Sequence, residues 1–137
     1  MEPSFFILYV AEMSASVAFY TDLFGGSPIE TSEHFTMFSL KSGVLFALWQ
    51  QDDVAPAATA PGGVECCLPV ASSTDVDATM AVWRERGIRI EQQPMMMDFG
   101  YTFVGLDPDG HRLRVFAPAE RAHISSARLE HAQEQDA

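Results

Sequence analysis

The stretch "DPDGHRLRVF", Asp107 to Phe116, decides how the rest of the chain is read. Its first four residues predict a tight turn. Pro108 fixes one φ angle, an Asp side chain stabilises the turn locally, and Gly110 accepts φ > 0. A strand follows, in which His111, Leu113 and Val115 point one way and Arg112, Arg114 and Phe116 the other. The Leu/Val side is a core face. What two arginines and a phenylalanine meet on the opposite side is the functional question.

The chain has 137 residues, 47% of them hydrophobic and 20% charged, the balance of an ordinary globular protein. That length suits one domain, or two small modules fused around shared cores, with no need of disulfide or metal staples. A net charge of −11 and a single lysine, Lys41, argue against nucleic acid and against anionic membrane surfaces as partners. Apolar runs such as "VLFALW" are far too short to span a bilayer. The start, "MEPSFFILYV", has no basic segment ahead of its apolar run, so no signal peptide is read. Cys66 and Cys67 are neighbours that point to opposite faces of a strand, so a mutual disulfide is not expected. Reduced thiols fit a cytoplasmic location.

Outward from the opening stretch, the same plan occurs twice. "FFILYV" is a buried-type strand, and "MSASVAFYTDLFGG" a helix with Met13, Val17, Tyr20 and Phe24 at helical spacing and a Gly25-Gly26 stop. Extended segments follow around "SPIETS", "FTMFSL" and "VLFALW", the last two joined by a "KSG" turn. "QQDDVAPAATAPGG" lacks periodicity and reads as a linker or loop. Then "VECCLPV" is a strand, and "SSTDVDATMAVWRERG" a helix with Thr74 or Asp75 near its N-cap and Val76, Met80 and Trp83 as its stripe. "IRIEQQ", "GYTFVGL" and "HRLRVF" are strands, with "PMMMDF" read as a loop. The helices match at a shift of 63 (Met13/Val76, Tyr20/Trp83). The hairpins match at 66 or 67 (Thr36/Thr102, Leu40/Leu106, Gly43/Gly110, Trp49/Phe116). The prediction is an α+β chain of tandem βαβββ modules: one at about 4–50, a linker at 51–63, a second at about 64–117, and a polar tail at 118–137.

The doubled module, the Ser16, Phe19, Tyr20, Gly25 helix pattern and "DPDG" before the last strand together resemble the vicinal oxygen chelate superfamily, the glyoxalase, bleomycin-resistance and extradiol dioxygenase fold. The resemblance implies curved mixed sheets around a pocket, helices outside, and a pocket commonly completed by a second chain, hence a homodimer. Metal-using members place His or Glu ligands at positions that fall here on Phe5, Ala47, Glu65 and Arg114. Glu65 alone of these has a metal-binding donor, and the permanent charge of Arg114 repels a cation. None of His34, His111, His123 and His131 is expected to join a ligand-spaced cluster. No metal and no other cofactor is expected.

If the family register holds, Phe5, Ile7, Tyr9, Leu45, Ala47 and Trp49 enter the pocket from the first module. Glu65, Cys67, Pro69, Arg112, Arg114 and Phe116 enter it from the second. An aromatic cavity with an acid and two arginines suits a flat organic ligand held by stacking and oriented by a few polar groups. "PMMMDFGYTF" adds Met95 to Met97, with Phe99 and Tyr101 alternating onto one face, and resembles the loop over the pocket in a metal-free, phenazine-resistance and drug-binding branch of the superfamily. The reading is therefore a binding module that sequesters a small planar aromatic compound. Phe5, Tyr9, Trp49, Glu65, Met97, Phe99, Tyr101 and Arg114 are its candidate ligand-binding residues, and no catalytic residue is assigned. The alternatives are a metalloenzyme of the glyoxalase or dioxygenase class with unfamiliar ligands, and a metal-free catalyst with Glu65 as general base. Each residue also has a plain packing role open to it: an internal Glu65–Arg114 ion pair, core aromatics at Trp49 and Phe116, gap-filling methionines, and Cys67 as a small buried hydrophobe.

Overall fold

A computed structural model describes residues 1–119. The chain divides into two compact units, Met1–Pro61 and a second beginning at Gly62. The tail beyond residue 119 lies outside the described residues.

The first unit runs β1 (Phe5–Val10), α1 (Met13–Phe24), β2 (Glu30–Thr31), β3 (Phe35–Ser39) and β4 (Leu45–Gln50). The second repeats the order as β5 (Glu65–Pro69), α2 (Ser73–Glu85), β6 (Ile90–Met97), β7 (Gly100–Leu106) and β8 (Arg112–Pro118). Each forms an open four-stranded mixed sheet, β1-β4-β3-β2 and β5-β8-β7-β6. The β1/β4 and β5/β8 pairs are parallel and the others antiparallel. The architecture is the α+β tandem βαβββ arrangement read from the sequence.

Helix limits follow local chemistry. α1 stops at Gly25, which takes φ 71° and gives its N–H to the Thr21 carbonyl. α2 starts at the head of the stretch that the sequence marks as helical. Its N-cap is Ser72, whose hydroxyl accepts the N–H of Asp75 at 3.2 Å, so Thr74 and Asp75 lie inside the first turn. The helices cover one face of each sheet. In the first unit Tyr20 packs on Phe46 (4.9 Å between ring centroids) and Phe24 on Phe38 (5.5 Å). In the second, Trp83 meets Phe103 edge-on at 5.2 Å. Because neighbouring positions alternate between faces, Phe5, Ile7, Tyr9, Leu45, Ala47 and Trp49 share the face of the first sheet turned away from α1, helix-free among the described residues. Glu65, Cys67, Pro69, Arg112, Arg114 and Phe116 share the corresponding face of the second.

The two long hairpins are built alike. Leu40 and Val44 frame one turn and Asp107 and His111 the other, with Gly43 at φ 92° and Gly110 at φ 90°. In "DPDG" the Asp107 Oδ1 also accepts the N–H groups of Asp109 (2.9 Å) and His111 (2.8 Å), so the opening motif is locked by its first side chain. The pairing gives one shift of 67 along the whole hairpin, from Thr36/Phe103 to Trp49/Phe116. The Thr36/Thr102 match is therefore one residue out of register. Thr36 faces α1 while Thr102 faces away from α2, since a one-residue slip exchanges faces.

"PMMMDF" is not a loop. Met95–Met97 complete β6, and the chain reverses only at Asp98-Phe99. Pro94 is tolerated because β6 is the sheet's edge and its register shifts between Gln92 and Met95. On β7, Gly105 lies under the Trp83 indole: a Cβ there would sit 2.6 Å from two ring carbons. Gly105→Ala is expected to lower the unfolding free energy by about 1–3 kcal/mol, the range for overpacking a filled core. Urea unfolding measures this, and an unchanged midpoint would show that the indole does not rest on Gly105.

Candidate functional site

The helix-free face of the second sheet is organised by Arg114, in mid-β8. Register places Cys67 of β5 and Val104 of β7 beside it. Its long side chain reaches diagonally to Glu65, donating from Nε to Oε2 at 2.8 Å and from Nη2 to Oε1 at 2.9 Å. This is the bidentate fork that a guanidinium makes with a carboxylate. Nη1 donates to Gln92 Oε1 at 3.0 Å and to Thr102 Oγ1 at 3.3 Å. The Thr102 hydroxyl passes its own hydrogen to the Val115 carbonyl at 2.8 Å. Phe99 lies 5.5 Å from the guanidinium carbon, in cation–π range, and meets Phe116 edge-on at 6.0 Å. Met97 Sδ lies 3.9 Å from Nη1. The Arg114 side chain is 14% exposed and that of Glu65 29%, so the pair is shielded without being sealed.

The electrostatics follow. The hydrogen bonds from Arg114 hold the Glu65 carboxyl below the ordinary glutamate range, against the upward pull of burial and with further help from the Arg114 and Arg112 charges. Glu65 is thus a fixed carboxylate and not a base poised near neutrality. Loss of hydration raises both thiols, fully packed or not. Asp107 adds to the rise at Cys66 and Glu65 at Cys67, where Arg114 only partly opposes it. Cys67 is exposed, not buried as its packing alternative had it, and its raised thiol is a poor nucleophile.

The structure brings Glu65, Met97, Phe99 and Arg114 together as the sequence suggested. Tyr101 is a correction. Phe99 lies in the turn, so alternation does not relate the two rings. Tyr101 opposes Ala117 on the helix-bearing face, where its hydroxyl donates to Asp77 Oδ1 of α2 at 2.9 Å. In the first unit Tyr9 and Trp49 are paired across β1 and β4, edge-on at 6.2 Å. Phe5 lies on the same face and is exposed, whereas Ala47 is fully buried. Gln92 was missed. Counting in twos from Ile90 puts it with the core residues, but a register shift between Ile90 and Gln92 turns it to the Arg114 side.

The four positions corresponding to family metal ligands do not fit a metal ion. Phe5 and Ala47 carry no donor atom, Arg114 is a permanent cation, and each Glu65 oxygen already accepts from Arg114. Elsewhere, and contrary to the sequence expectation, Asp107, Asp109 and His111 bring three potential ligand atoms within 4.8 Å of one another. The Asp107 Oδ1 there serves the turn.

Two βαβββ units, each an open mixed sheet covered on one face by its helix, define a protein of the glyoxalase fold. The chain belongs to the Glyoxalase/Bleomycin resistance protein/Dioxygenase superfamily, whose family model matches residues 4–115. It is 29% identical over 116 residues to the phenazine antibiotic resistance protein EhpR of Enterobacter agglomerans, covering 82% of this chain and 89% of EhpR. A protein of Agrobacterium tumefaciens, solved in solution by NMR, is 44% identical with a TM-score of 0.81, covering 87% of this chain and 98% of that one. A glyoxalase-related enzyme from Fulvimarina pelagi shares the fold at 24% identity and a TM-score of 0.74, over 85% of this chain and 87% of its own.

The lowered pKa of Glu65 sets a pH dependence. A carboxyl more acidic folded than unfolded stabilises the fold above its unfolded pKa, and that contribution is lost as pH falls through the folded value. Glu65→Gln is expected to cost about 1–3 kcal/mol at pH 7, the scale of charge-assisted hydrogen bonds. The gap between wild type and variant narrows as the pH drops below the ordinary glutamate range. Unfolding curves from pH 7 to pH 3 test this, and a constant gap would contradict it.

Proposed function

We propose that this protein binds and sequesters a small planar aromatic compound without a metal, a phenazine-type resistance function exerted in the cytoplasm by a homodimer. The observation that carries the reading is the Arg114 fork. At a family metal position stands a guanidinium that occupies both oxygens of the one available carboxylate and lies 5.5 Å from the centre of the Phe99 ring. Stacking surfaces and fixed polar donors recognise flat heteroaromatic molecules. The relationship to EhpR supports the same ligand class. In the second unit Phe99 and Met97 form an apolar wall, and Arg114, oriented by Glu65, makes the polar contact. In the first unit Phe5, Tyr9 and Trp49 offer further aromatic surface. Tyr101 drops out because its ring faces α2. Among the described residues no helix is long and apolar enough to cross a membrane.

The test is a titration of chelator-free protein with phenazine-1-carboxamide, followed by tryptophan fluorescence and calorimetry, with metal analysis of the same sample. Binding is expected to survive EDTA, and the compound to be recovered chemically unchanged. Phe99→Ala is expected to weaken affinity by about 3–10-fold, the scale of one lost aromatic contact. A stoichiometric Mn, Fe, Ni or Zn ion required for binding, or conversion of the compound, would overturn the reading in favour of a metalloenzyme.

A further inference from the structure

Arg114 fixes more than its own position. A guanidinium donates hydrogen bonds and accepts none. The Gln92 amide beside it must therefore turn its oxygen to Arg114 Nη1, which lies at 3.0 Å. Its Nε2 is consequently directed the other way, where among the described residues its partners are two thioether sulfurs, Met95 Sδ at 3.3 Å and Met97 Sδ at 3.5 Å. Thioethers are weak acceptors on flexible side chains. The amide thus keeps its N–H donors on weak acceptors and open to water, on the face that carries Phe99 and Arg114, held by neighbours that yield easily.

Building on the proposed binding of a planar aromatic compound, we infer that Gln92 is its specificity-determining residue: the Nε2 amide donates to a ring nitrogen or oxygen of the ligand and selects heteroaromatic over hydrocarbon rings. A heteroatom replaces a poor acceptor by a good one. A carbocyclic ring of the same shape covers the amide N–H and offers nothing, leaving the donor desolvated and unpaired. Sites built to hydrogen-bond a ligand atom reject analogues that lack it for this reason. Glu65 acts here as a positioning residue, and Arg114 orients the Gln92 amide in addition to making its own polar contact.

The experiment compares phenazine-1-carboxamide with anthracene-1-carboxamide, which differ in the two ring nitrogens. Wild type is expected to bind the phenazine about tenfold more tightly, roughly one hydrogen bond's worth. Gln92→Glu keeps the acceptor for Arg114 and removes the donors, and Gln92→Met conserves volume. Both are expected to erase the preference. In wild type the Nε2 proton resonances of Gln92 are expected to shift on adding the phenazine and not the anthracene, a readout independent of how either variant folds. Equal binding of the two compounds, a preference retained in folded Gln92→Glu, or unmoved amide resonances in the phenazine complex would overturn the assignment and leave the binding function standing. Failure of wild type to bind either compound would overturn the binding function and this assignment with it.

Discussion

A guanidinium that is almost buried must be surrounded by acceptors, because it cannot shed its proton and cannot itself accept. The second unit satisfies this demand with one group from each remaining strand: Glu65 from β5, Gln92 from β6 and the Thr102 hydroxyl from β7, all on Arg114 of β8. One side chain thereby ties four strands together across the helix-free face. Desolvation of the charges offsets much of the energy gained, so such a network fixes an arrangement more than it adds stability. Arrangement is what a recognition surface requires. The ring of Phe99, the thioethers of Met95 and Met97 and the amide of Gln92 are all held relative to a single charged plane.

The same constraint shapes the chemistry left on that face. A carboxylate claimed twice by Arg114 is kept ionised and turned away from proton transfer or cation binding. Thiols pushed upward by loss of hydration are poor nucleophiles. That face also carries the Phe99 ring and the hydrogen-bond donors of Arg114 and Gln92.

Much of this was legible in the sequence, for identifiable reasons. β1, β4, β5 and β8 pair in unbroken register, so counting in twos, with the face taken from the family resemblance, put Phe5, Tyr9 and Trp49 on one face of their sheet and Glu65 and Arg114 on one face of theirs, where the two charges pair. Alternation failed where the backbone stops alternating. β6 slips on either side of Gln92, which hid Gln92, and the methionine run reads as a loop through its resemblance to the family's pocket loop. Phe99 sits in a turn, so its side says nothing about that of Tyr101. A coincidence of threonines at positions 36 and 102 suggested a register that the hairpin bonds contradict by one residue. Such slips cannot be counted from composition or period, because they are set by partners across the sheet.

The Trp83–Gly105 contact has a consequence for how the two modules relate. In the first unit the space between helix and sheet is filled from both sides, by Phe24 on α1 and by Phe38 and Phe46 below it. At the hairpin shift of 67, Phe38 corresponds to Gly105 and Phe46 to Leu113. Phe24 has no aromatic counterpart on α2; there Trp83 lies over Gly105 and meets the Phe103 ring of the sheet edge-on. Each helix is thus the mould of its own sheet. Two modules built on one plan do not have interchangeable parts: α2 laid on the first sheet would drive an indole into Phe38, and α1 on the second would leave a void above Gly105. A change of volume at one of these paired positions must be matched at the other, so each helix and its sheet behave as one fitted piece.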